Sequence, residues 1–197
     1  MVREGDEELA VAPTGSLALT GAPNLENALA ATALAFRMGI GPGSVEKVLR
    51  TFAGLEHRME LLGYFRGVPV YNDSKGTNTG ATIRSLEGMG NNVILILGGK
   101  DKGVSYVPLE NIVRRKVSHL ILLGESAPRM REAFNGASDI VMVRDLDEAV
   151  RAAVARARPG SEILFSPACS SFDMFSGFEE RGRVFKEAAR KYMGLAR

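Results

Sequence analysis

The stretch NVILILGGKDKG, residues 92–103, decides the fold. Asn92 to Leu97 is an apolar run without alternation, and Gly98-Gly99 ends it. A short run of this kind, bounded by glycine, reads as a strand buried on both faces. The unit recurs downstream. HLILL at 119–123 ends in Gly124, Ile140–Val143 is a further strand, and Ile163–Phe165 runs into Ser166-Pro167-Ala168. Upstream, Val68–Asn72 runs into a polar loop. Helical patterns lie between, at about 78–86, 108–116, 127–134 and 146–156, with a last one from about Phe178 to Tyr192. Strands alternating with helices predict an α/β fold with a doubly wound, mostly parallel sheet.

The N-terminal region reads differently. Glu8 to Ala12 and Ser16 to Thr20 are expected as short strands around Pro13-Thr14-Gly15. A helix is expected from Leu25 to about Met38, with Asn24 as N-cap and Gly39 just past its end. A second follows from Ser44 to about Phe52. Their apolar faces have few other elements to cover them. The segment therefore reads as the tail of a larger domain, and residues 54–58 as a linker. The expected division is 1–54 and 55–197.

Composition bounds the function. The chain has 197 residues, 25 Lys and Arg against 23 Asp and Glu, and a single cysteine, Cys169. A net charge of +2 is no footprint for nucleic acid. No apolar run approaches the roughly 18 residues of a membrane span. One cysteine closes no internal disulfide, and a reducing, cytoplasmic setting is expected.

Ligands in open α/β sheets bind outside the carboxyl ends of the strands. Three strand ends carry chemistry. NDSKGTN at 72–78 packs a carboxylate, an ammonium, hydroxyls and amides into one loop before a helix N-terminus. Asp73 can accept from sugar hydroxyls, Lys75 can neutralise a phosphate, and Thr77 can hold a carboxylate. The same residues also make a turn and a helix cap. GGKDKG at 98–103 lacks the glycine and hydroxyl spacing of a phosphate loop. Lys100 and Lys102 read either as anion binders or as a solvated pair. SPACSSFD at 166–173 has no nucleophile-elbow pattern. Cys169 reads as a packed, inert thiol. His57, His119 and Cys169 have no metal-site spacing.

Four segments resemble one family in order: NLENALAA at 24–31, EHRME at 56–60, NDSKGTN at 72–78 and SPACSSFDMFSGFEERG at 166–182. GGKDKG at 98–103 accompanies them. The chain resembles the C-terminal portion of the Mur ligases, in their D-glutamate-adding branch. The resemblance implies a Rossmann-like C-terminal domain preceded by the end of a central ATP-binding domain. It implies an ATP- and Mg2+-dependent ligase of peptidoglycan synthesis that adds D-glutamate to UDP-MurNAc-L-alanine through an acyl phosphate. By matching position, Asn24 and Asn27 lie near adenine, Asp73 near ribose, and His57 and Arg58 at the hinge by the phosphates. Lys75 positions ATP and the intermediate. Lys75, Arg58 and His57 are thus the implied catalytic set. Thr77, Lys102, Ser171 and Phe178, with Phe172 beside them, hold D-glutamate. Pro23 stands where the family usually has histidine. A P-loop is not found in this chain, so it is expected to be inactive alone, and to be monomeric. A non-catalytic small-molecule-binding module is the alternative. A folylpolyglutamate-type ligase matches NDSKGTN less well.

Overall fold

A computed structural model describes residues 2–4, 7–19 and 22–195. The chain divides into two compact units, Met1–Leu55 and Glu56–Arg197.

In the first unit, β1 (Val2–Glu4) pairs antiparallel with β2 (Glu7–Leu9). The strands expected over 8–12 and 16–20 are therefore displaced. Residues 10–13 are irregular, and Thr14–Ser16 is a single 3-10 turn. Ser16 causes it, because its N–H and its hydroxyl both donate to Pro13 O, at 3.0 and 2.8 Å. Thr20 lies outside the described residues. Helix α1 (Ala22–Arg37) begins earlier than expected, so Asn24 sits in the first turn and is not its N-cap. Proline in a first turn has no intrahelical N–H to lose, which lets the helix start ahead of Pro23. Gly39, at φ 78°, follows the end of α1 as expected. Helix α2 (Pro42–Thr51) buries Val45. Leu29, Leu34, Val48 and Phe52 stay exposed.

The second unit opens with β3 (Glu60–Phe65) and β4 (Val68–Asn72), an antiparallel hairpin. Arg66 and Gly67 form its tip with φ of 51° and 81°. Paired positive φ values give the turn that matches strand twist. Helices and strands then alternate strictly: α3 (Thr79–Glu87), β5 (Val93–Gly98), α4 (Val107–Lys116), β6 (Val117–Leu123) and α5 (Ala127–Ala133). They are followed by β7 (Asp139–Met142), α6 (Leu146–Arg156), β8 (Glu162–Phe165) and α7 (Phe178–Met193). The sheet order is β3-β4-β8-β5-β6-β7, parallel except for β3. The last strand of the chain is thus inserted between β4 and β5.

Strand geometry sends successive side chains to opposite faces. Val93, Leu95 and Leu97 of β5 meet Leu86 of α3, Leu109 and Val113 of α4, and Met130 of α5. Ile94 and Ile96 meet Val150 of α6 and Phe185 of α7. Every residue of β5 is buried, which explains its unbroken apolar run. Covering both faces leaves the carboxyl edge of the sheet as the open side, where ligands reach this class of fold. Among the described residues, no helix is long and apolar enough to cross a membrane.

Candidate functional site: three loops on adjacent strands

The loops after β4, β8 and β5 leave neighbouring strands. They are sewn together by their backbones. Ala168 N–H donates to Gly76 O at 2.8 Å, Gly98 N–H to Pro167 O at 3.0 Å, and Lys100 N–H to Ser170 O at 2.9 Å. The stitching needs unusual backbone. Ala168 stands at φ 59°, and Gly98 at φ 125°. A Cβ on Gly98 would lie 1.8 Å from Leu123 O, so no other residue passes there.

The β4 loop is built around two buried groups. The Asp73 carboxylate, 3% exposed, accepts from Ser85 and Ser166 hydroxyls at 2.7 Å each and from Met59 N–H at 3.2 Å. Burial raises its pKa against these donors and against Arg58 nearby. This carboxylate is turned inward, and its lone pairs are largely taken by the protein. Arg181 of α7 is 1% exposed and reaches the same loop. It donates to Ser74 Oγ at 3.0 Å, Ser74 O at 2.8 Å and, on the β8 loop, Cys169 O at 3.0 Å. One planar fork thus clamps two loops. Lys75 is exposed, with Nζ 4.0 Å from the centre of the Phe178 ring, and Phe178 O accepts from Ser74 Oγ at 2.8 Å. Thr77 is half-buried, and Asn78 caps α3 by accepting from Ala81 N–H at 2.9 Å.

The segment expected as a linker is built into the second unit from Glu56 on. His57 and Met59 adopt φ of 65° and 46° on either side of exposed Arg58. Strain of this kind persists only where neighbours hold it. They do: Lys75 N–H donates to His57 O at 2.9 Å, and Met59 is held by Asp73. His57 is buried against Gly182, where a Cβ would stand 2.2 Å from Nδ1. Burial lowers its pKa, opposed by Glu56 and Glu60. Glu56, His57 and Glu60 bring ligand atoms within 4.8 Å of one another. Both carboxylates, however, already bind the Lys186 ammonium, at 2.9 and 2.5 Å. A cation of the protein's own occupies that corner.

On the β5 loop, Lys100 pairs with Glu125 at 2.5 Å, while Asp101 is held by Arg129 at 2.6 Å and by Gly103 N–H at 2.9 Å. Lys102 is exposed beside this pinned aspartate. Cys169 is buried and bonded to the Tyr106 and Ser126 hydroxyls at 3.3 and 3.4 Å. On the β8 loop Ser171 is 2% exposed and Phe172 is 70% exposed. Of the residues singled out from sequence, Lys75, Thr77, Lys102, Ser171, Phe172 and Phe178 thus share the three stitched loops or the helix start that follows them. Asp73 lies in the β4 loop itself, and His57 and Arg58 join from the adjoining segment. Asn24 and Asn27 belong to α1, in the first unit. Sequence reasoning missed Asn72, Glu60, Arg181 and Lys186. For Arg181 a signal existed, because it falls on the helical stripe of Phe178, Phe185 and Ala188.

A family model described as Mur ligase, glutamate ligase domain, matches residues 57–169. The chain belongs to the Mur ligase family. Among curated Mur ligases, the UDP-N-acetylmuramoylalanine--D-glutamate ligase of Geotalea uraniireducens (strain Rf4) is 46% identical over 187 residues. That match covers 95% of this chain and 41% of the relative. The ligase of the same name from Chlorobium chlorochromatii (strain CaD3) is 42% identical over 197 residues, 98% of this chain and 42% of the relative. The chain thus spans about two fifths of the length of these Mur ligases. Among solved structures, a murein peptide ligase, mpl, from Psychrobacter arcticus 273-4 superposes with a TM-score of 0.55 at 19% identity. It covers 86% of this chain and 37% of that one, and shares the fold.

Proposed function

We propose that this chain is the C-terminal part of an ATP-dependent ligase that adds D-glutamate to UDP-MurNAc-L-alanine. In this reading, residues 56–197 supply the D-glutamate site, and the hinge and β4 loop complete the ATP site. Residues 1–55 are the end of a central nucleotide-binding domain. The observation that carries the reading is the convergence of NDSKGTN, GGKDKG and SPACSSFD on adjacent strands, within a chain this similar to D-glutamate ligases.

The chemistry asks little of side chains beyond position and charge. ATP phosphorylates the acceptor carboxylate, the D-glutamate amine attacks the acyl phosphate, and phosphate leaves. Arg58 and Lys75 neutralise phosphate charge. Thr77, Lys102 and Ser171 hold the D-glutamate carboxylates, with Phe178 contributing the N–H of the α7 N-terminus, which favours an anion. Phe172, exposed beside Ser171 on the β8 loop, adds an apolar surface next to them. Asp73 serves the ribose side by shaping the loop, since its carboxylate is held inside by Met59, Ser85 and Ser166. By the family resemblance, Asn24 and Asn27 are assigned to the adenine. The residues present suit magnesium nucleotide on the phosphate side only through their positive charges; the metal ligands belong elsewhere in the parent enzyme. Three negative partners, ATP and two acids, match a rim rich in ammonium and guanidinium groups.

Alone, the chain does not turn over. The test is phosphate release by the full-length ligase carrying Thr77→Val. The KM for D-glutamate is expected to rise about tenfold or more, the loss of one charge-assisted hydrogen bond, with kcat within a few-fold. An unchanged KM removes Thr77 from the site. Turnover by the isolated chain would overturn the division of labour.

A further inference from the structure

The buried His57 ring is held from three directions. Asn72 Nδ2, at the end of β4, is 2.9 Å from Nδ1. Glu60 accepts the His57 N–H at 3.0 Å and stands 3.9 Å from Nδ1. From α7, Gly182 closes on the ring and Phe178 presents its edge at 6.3 Å between centroids.

The Asn72 carboxamide can be turned only one way. Its Oδ1 faces the Ser74 N–H at 3.2 Å, a group that only donates. Its Nδ2 faces Glu60 Oε2 at 3.1 Å, and a carboxylate only accepts. The other oxygen of Glu60 is in an ion pair with Lys186 Nζ at 2.5 Å. Burial works against the Lys186 charge, but its bonds to Glu60 and Glu56 prevail and raise its pKa. Asn72 therefore meets His57 as a donor, and Nδ1 must accept. An accepting Nδ1 carries no proton, so the proton of the neutral ring is on Nε2.

We propose that Asn72 is a positioning residue that fixes His57 as the neutral Nε2–H tautomer, so that the hinge offers a hydrogen-bond donor and not a second cation beside Arg58. The part played in catalysis rests on the function proposed above; the tautomer rests on the geometry alone. The groups facing the ring are Glu56, 3.6 Å from Nε2, and Glu60, which favour the charged form, and Lys186 and Arg183 of α7, which oppose it. Burial also opposes it and prevails. Asn72→Asp keeps the shape but sets a second acceptor against Nδ1. It converts His57 to the imidazolium.

Long-range 1H–15N spectra of the labelled chain test this. At about pH 7, wild-type His57 is expected to show a bare Nδ1 and a protonated Nε2. In Asn72→Asp the ring is doubly protonated at that pH, with its pKa raised by about two units or more. Glu60→Gln, which keeps an accepting oxygen, retains the wild-type tautomer. A protonated Nδ1 in the wild type overturns the proposal. So does a Glu60→Gln chain that switches tautomer, or an Asn72→Asp chain that does not titrate differently. Should Asn72→Asp fail to fold, the other two spectra decide. In the full-length ligase, Asn72→Asp is expected to lose about tenfold in kcat near pH 7 and regain it as the imidazolium deprotonates. The KM for D-glutamate stays unchanged. A loss equal at every pH overturns the catalytic half. The predicted spectra in a full-length protein without ligase activity would sink the proposed function and leave the tautomer standing.

Discussion

Arg181 is buried without a carboxylate at ion-pair distance among the described residues. Its charge is met by two carbonyls, one hydroxyl and the Phe165 ring at 5.9 Å. Burial brings its pKa down to about 10, so it stays ionised at neutral pH. Arg181→Met leaves Ser74 O and Cys169 O without donors, at about 1–3 kcal/mol for each buried acceptor. A loss of about 3 kcal/mol in urea denaturation is expected for that variant. His57 makes a pH prediction. Its folded pKa lies below the 6.5 of the free group, so the native state binds fewer protons than the unfolded chain. Its contribution is full above that value and is lost as pH falls through the folded pKa. The slope is at most about 1.4 kcal/mol per pH unit. Urea midpoints at a series of acid pH values should show this in the wild type, and less of it in His57→Asn. At this scale the sequence singled out the three loops that the structure stitches together. It did not disclose that the Asp73 carboxylate points inward. That follows from Ser85 and Ser166, which are 12 and 93 residues away along the chain.

Elements were legible where their pattern was strong. β5 and the helix at Leu146–Arg156 follow directly from an apolar run and from Asp145, which caps α6 by accepting from Glu148 N–H at 2.8 Å. β3 was missed because it is an edge strand with one partner, half-buried, and broken in register between Leu61 and Gly63. Its turn, Arg66-Gly67, was the available signal. The order of strands was not legible, since nothing local places β8 between β4 and β5. Yet that insertion is what brings the three loops together. Gly98 is the element that permits it. Gly98→Ala forces a Cβ onto Leu123 O at a strained φ, and a loss of more than about 3 kcal/mol, or no soluble protein, is expected. Gly15→Ala, with nothing within 4 Å of its Cβ, is the control and should unfold at the wild-type denaturant concentration.

As a whole molecule the chain is two units of unequal cohesion. Residues 56–197 contain both apolar layers of the sheet. Residues 1–55 leave Leu29, Leu34, Val48 and Phe52 exposed. Residues 56–197 expressed alone should keep their fold, seen as an unchanged amide spectrum for β4 to α7. Collapse of that spectrum would show the first unit to be part of the same folding unit. The strand hairpin at the N-terminal end of the described residues was not placed correctly from sequence. The central claim is that the three stitched loops bind D-glutamate. The measurement that tests it most directly is an amide NMR titration of the labelled chain with D-glutamate, and separately with L-glutamate. The account predicts shifts at Thr77, Lys102, Ser171 and Phe178 with the D form and not with the L form. Equal shifts with both enantiomers, or none at these residues, would contradict it.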